Sequence, residues 1–138
     1  MTVKTLADVE FGAEVKSPDA DTSLSNVRAF ADAVGWQAAR FQDHERARQE
    51  GLPGALVPGV MGVGFLTSMI HEWAPSARIS SIDTVFRAPM LADEPLLLVA
   101  VVTDIDEERQ QVELDLTARN QQDETRLFGT AIVTFSPG

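Results

Sequence analysis

Two residues of the proton-transfer type stand side by side in this chain, Asp43 and His44, within the stretch AVGWQAARFQDHERARQEGLPGALVPGVM that runs from Ala33 to Met61. A carboxylate beside an imidazole is the combination that acid–base chemistry at neutral pH requires. Adjacent residues on a helix point in different directions, which favours an exposed His44 over a working pair. The same stretch carries Gln37, Arg40 and Gln42, long polar side chains that either hold a ligand carbonyl, contact another subunit or stay solvated. Pro58-Gly59 follows at an expected helix start, where unpaired N–H groups and the positive end of the dipole can polarise a carbonyl. The plainer alternative is that these residues only begin a buried helix, with Gly59, Gly62 and Gly64 letting a sheet pack close. Arg87, ahead of Ala88-Pro89, suits by itself a surface ion pair. His71, the other histidine, lies too far along the chain to make a metal motif with His44, and neither a metal nor a cofactor is expected. There is no cysteine, so thiolate chemistry is excluded.

The 138 residues, 44% hydrophobic and 23% charged, suit one domain over 1–138 with its own core. Acidic residues outnumber basic ones 21 to 11, for a net charge of -10. That balance argues against nucleic acid and anionic membranes as partners. It leaves room for an anionic small ligand held by a few arginines or a helix N-terminus. The longest apolar stretch, around Val57 to Ile70, is interrupted by glycine and too short to span a bilayer. A soluble, cytoplasmic protein is the expectation.

The elements that must position these residues are marked by caps and periodicity. Ser23 as N-cap, Val27, Phe30, Ala31 and Val34 at helical spacing, and Gly35 as a left-handed stop predict a first helix. Asp43 and Gly51 bracket a short charged one. A third runs from near Pro58 to before Pro75, and its apolar residues on most sides predict a place in the middle of the fold. Beyond Pro75 the period changes to that of strands, in ARISSIDTVFRA, PLLLVAVVTDID, QQVELDLTARN and RLFGTAIVTF. Polar turns join the last three as hairpins, so the sheet should be largely antiparallel. The predicted class is α+β, a central apolar helix wrapped by a curved antiparallel sheet.

Several stretches together resemble the MaoC-like hydratases and dehydratases. LADVEFGAEVKSPDADTSLSNVRAFADAVG is similar to their opening strand and the helix that leads into the catalytic loop. DHERARQEGLPGALVPGVMGVGFL resembles the overhanging segment and the start of the central helix. IDTVFRAPMLADEPLLLVAVVTDID resembles the strand, turn and long strand that follow. EWAPSARI is similar to small MaoC-like subunits that partner a second MaoC-like chain in heteromeric acyl-CoA hydratases. The resemblance implies a hot-dog fold, a homodimer or a heteromer with a related hot-dog chain, and an acyl thioester as ligand.

Active members carry a loop of the form Gly-Asp-x-Asn-Pro-Ile/Leu-His, whose Asp and His together activate water for addition to an enoyl thioester. Gly35 matches its glycine, which puts Trp36 at the Asp position, Phe41 at the His position and Ala38-Ala39 at the Asn-Pro pair. Neither aromatic transfers a proton, so the usual mechanism cannot run through this loop. The family's His-Gly at the central helix start is Pro58-Gly59 here, which keeps the glycine N–H that polarises the thioester carbonyl. Trp36, Gln37, Arg40, Phe41, Pro58, Gly59 and Arg87 are therefore the expected substrate-binding residues, and Asp43 with His44 the remaining catalytic candidates. Two functions follow. One is a hydratase/dehydratase-type subunit without the Asp/His pair, shaping the acyl site beside a catalytic homologue. The other is a stand-alone enzyme recruited to dehydrate or cyclise a thioester-bound or polyketide-like intermediate. Whether this chain itself catalyses is left open by its sequence.

Overall fold

Each cap that the sequence marks closes a helix where expected. The computed structural model describes residues 2–137. In chain order these form β1 (Glu14–Ser17), α1 (Leu24–Ala33), α2 (His44–Gln49), β2 (Leu56–Val57), α3 (Gly59–Trp73), β3 (Arg78–Phe86), β4 (Met90–Leu91), β5 (Leu97–Asp106), β6 (Gln111–Arg119) and β7 (Thr125–Thr134). The Ser23 hydroxyl accepts the Asn26 N–H at 3.3 Å, and Gly35 at φ 80° turns the chain out of α1. The Asp43 carboxylate accepts the Arg46 N–H at 2.8 Å to start α2, and Gly51 at φ 92° follows its end.

Five strands make one antiparallel sheet in the order β1-β5-β6-β7-β3, and β2 pairs with β4 in a separate two-residue ladder. The two hairpins are as expected, but β3 does not neighbour the next long strand; it crosses to the far side of β7. Clean alternation in β6 places Val112, Leu114, Leu116 and Ala118 on the buried face. Leu127, Ala131 and Val133 of β7 join them there, opposite Met61, Leu66, Met69, Ile70 and Trp73 of α3. Leu66, Leu114, Leu116 and Leu127 are at most 1% exposed, and each such burial stabilises by about 2 kcal/mol. Register shifts in β3 and β5 bend the sheet around the helix.

The central helix is not enclosed on every side. Val60 is 56% exposed, and a side chain at Gly64 would meet nothing within 4 Å. Gly62 is the glycine that lets the sheet approach, since a Cβ there would lie 2.8 Å from Met90 Cε and 2.9 Å from Leu127 Cδ2. The apolar stripe is thus wider than one sheet covers, and its surplus faces out near the start of α3.

Candidate functional site

The loop after α1 is held by its own side chains. The Trp36 N–H donates to Ala31 O at 2.7 Å, and Ala39–Phe41 form a short 3-10 turn. The Trp36 ring meets Phe30 edge-on, centroids 6.0 Å apart at 76°, and leans over Phe41 at 5.7 Å and 33°. The Arg40 guanidinium lies 5.1 Å from the Phe41 centroid. Gln42 Nε2 donates to Asp32 Oδ1 at 3.0 Å and to Trp36 O at 3.1 Å, and Gln37 Nε2 donates to the same Asp32 oxygen at 3.3 Å. Both glutamines therefore brace the loop against the end of α1.

Facing this loop is an open cleft of about 650 Å³. Arg40 and Phe41 form one wall, the Val57–Gly59 junction its floor, and the end of β3 with the turn after it the other wall. Of the seven residues that the sequence proposes for binding, Arg40, Phe41, Pro58, Gly59 and Arg87 line this cleft. Trp36 and Gln37 are not among the lining residues; Trp36 stands behind Phe41. Pro58 gives α3 no side-chain cap, so the first-turn N–H groups have no partner within the helix. The Phe86 ring sits directly over this end, for a Cβ on Gly59 would lie 2.8 Å from its Cδ1 and Cε1. A recess of about 110 Å³ adjoins along Pro89, Met90 and Arg126. Phe86 and Arg126 were not legible as cleft residues from sequence. The one signal, an aromatic at a strand end next to Arg87, does not say which face it takes.

His44 is half-buried rather than exposed, and its partner is Asp93, not Asp43. Its Nδ1 accepts the Ala55 N–H at 2.9 Å, so Nε2 carries the proton and donates to Asp93 Oδ2 at 2.7 Å. Asp93 adopts the left-handed conformation at φ 67°, which Asp tolerates better than most residues. Its other oxygen accepts the Leu24 N–H at 2.9 Å, and its own N–H donates to Thr22 O at 2.8 Å. The His44 bond, followed by that of Leu24, holds the Asp93 carboxyl below its ordinary range. Both ring nitrogens of His44 are committed to fixing the starts of α1 and α2 and the entry to β2, and neither His44 nor Asp43 lines the cleft. His71 is exposed near the end of α3.

No protein-family model matches the chain, and no curated protein does. Solved structures match over nearly its whole length. R-hydratase PhaJ1 from Pseudomonas aeruginosa superposes with a TM-score of 0.88 at 15% identity, covering 97% of this chain and 86% of that one. The MaoC-like dehydratase from Rhodospirillum rubrum gives 0.78 at 17% identity, covering 97% and 98%. The chain has a hot-dog fold. A chain of the ChsH1-ChsH2 complex from Mycobacterium tuberculosis shares this hot-dog fold, with a TM-score of 0.77 at 19% identity over 93% of this chain and 99% of that one. Hot-dog hydratases and dehydratases, some of them in two-chain complexes, are thus what this chain is similar to. Within this hot-dog fold α3 is the central helix, β3 is an open sheet edge, and the cleft lies where the two meet. Among the described residues no helix is long and apolar enough to cross a membrane, and no group of three His, Cys, Asp or Glu side chains could hold a metal.

Proposed function

We propose that this chain is a hydratase/dehydratase-type hot-dog subunit that binds an acyl thioester in the Arg40–Gly59–Arg87 cleft and leaves the acid–base steps to a catalytic hot-dog partner. The observation that carries this reading is the chemistry of the lining. Apart from three arginines it is apolar, with no carboxylate, imidazole or hydroxyl to move a proton. What it offers instead is shape, from Phe41, Phe86 and Met90, and donors at the first turn of α3 for a thioester carbonyl. A partner is supported by the open edge of β3 beside Val60, Val85 and Phe86, which are 56%, 52% and 56% exposed. Two-chain complexes among the similar folds support it further. The cytoplasm is the proposed setting, in keeping with a chain that has no cysteine.

The test is to assay the purified chain with crotonyl-CoA and a longer trans-2-enoyl-CoA while measuring binding of the saturated acyl-CoA by calorimetry. Binding without hydration above background is the expected result. Sustained turnover by the chain alone overturns the subunit reading and favours the stand-alone enzyme.

A further inference from the structure

Three of the 11 basic residues of this acidic chain, Arg40, Arg87 and Arg126, come from three separate segments to line one cleft, and its lining includes no acidic residue. Among the described residues no carboxylate pairs with Arg40 or Arg87. Arg126 Nη2 is bound by Glu124 Oε1 at 2.7 Å, but its Nε is buried without any acceptor. A buried charged donor left unpaired is costly. Arg87 and Arg126 also stand opposite each other, since Phe86 pairs with Leu127 and the Arg87 N–H donates to Arg126 O at 2.9 Å. Like charges opposite each other across a ladder repel, and here both side chains reach the same cleft. Arg40 closes the triangle from the other wall, its guanidinium resting on Phe41. An anion between the three groups relieves that repulsion and offers acceptors to the Arg40 and Arg87 guanidinium groups, which have no carboxylate partner among the described residues.

We propose that Arg40, Arg87 and Arg126 form an oxyanion site that recognises the carboxylate or phosphate of a ligand whose apolar body lies against Phe41, Phe86 and Met90. The inference rests on the reading of this cleft as an acyl site and adds the charge of what enters it. A carboxylate would belong to the acyl part itself, and a phosphate to the carrier.

Calorimetric titrations with decanoate, coenzyme A and the uncharged decanoyl N-acetylcysteamine thioester test it. At low salt at least one anion should bind about tenfold more tightly than the uncharged thioester. That advantage should shrink in high salt and fall about tenfold in Arg87→Gln and in Arg126→Gln. Arg109→Gln, on the β5–β6 turn, should bind like the wild type. Preference for decanoate assigns the site to a carboxylate, and preference for coenzyme A to a phosphate. Arg87 is exposed, so its variant carries the test if Arg126→Gln does not fold. If the uncharged thioester binds as tightly as both anions and the arginine variants change nothing, the oxyanion site is overturned while the acyl site stands. If none of the three binds, both readings fall.

Discussion

Replacing His44 by Ala separates a structural histidine from a catalytic one. Ala55 is 0% exposed, and its N–H loses its only acceptor when the imidazole is removed. An orphaned buried N–H costs about 2 kcal/mol. The His44–Asp93 contact adds less than about 1 kcal/mol, because its side chains are 25% and 52% exposed and solvent screens the pair. The expected loss is therefore about 2–3 kcal/mol, or a melting temperature lower by about 10 °C in a domain of this size. His44→Asn sharpens the test. Its amide oxygen can take the place of Nδ1 opposite Ala55, so only the Asp93 contact is lost and the drop should shrink to about 1 kcal/mol. Thermal unfolding followed by circular dichroism, together with acyl-CoA titration of each variant, reads both quantities. Ligand affinity should stay within about twofold of wild type in His44→Asn. A His44→Ala protein that melts like the wild type but loses ligand binding or turnover would refute the structural assignment and return His44 to the site.

Two further outcomes follow from the same geometry. Asp93 has a lowered carboxyl pKa in the fold, so its stabilisation is complete above the unfolded value and is lost as pH falls through the folded one. Urea unfolding of wild type and Asp93→Asn should show a constant stability gap above about pH 5 that closes in the acid range below 3.8; a gap that widens on acidification would contradict the assignment. Gly59→Ala should act on binding alone. The three atoms nearest to its methyl all belong to the Phe86 ring, which must shift and is 56% exposed, while alanine restores up to about 1 kcal/mol of helix propensity. The variant should melt within about 3 °C of wild type and bind acyl-CoA about tenfold more weakly, and unchanged affinity would remove the α3 terminus from the site.

The features that sequence alone determined are those whose cause lies within a few residues. Ser23, Asp43, Gly35 and Gly51 bound α1 and α2 because a cap bond or a left-handed turn is a local event. The alternation of β6 was legible for the same reason, since period two sends Val112, Leu114 and Leu116 to one face whatever lies opposite. Gly35, at φ 80°, marks where the loop that carries Arg40 and Phe41 begins. Tertiary structure decided what meets across the chain. His44 reads as an exposed helix residue until Asp93, 49 positions away, arrives beside it. Asp93 comes there because β4 pairs with β2 and carries the following turn to the head of α1. Arg126 reads as a polar strand residue until the β3–β7 register sets it opposite Arg87. Even α3, apolar nearly all round, could not reveal which side the sheet would leave uncovered. That depends on the path of β3 around the sheet to its far edge, and long-range pairing of this kind leaves no periodic mark in the residues that take part in it.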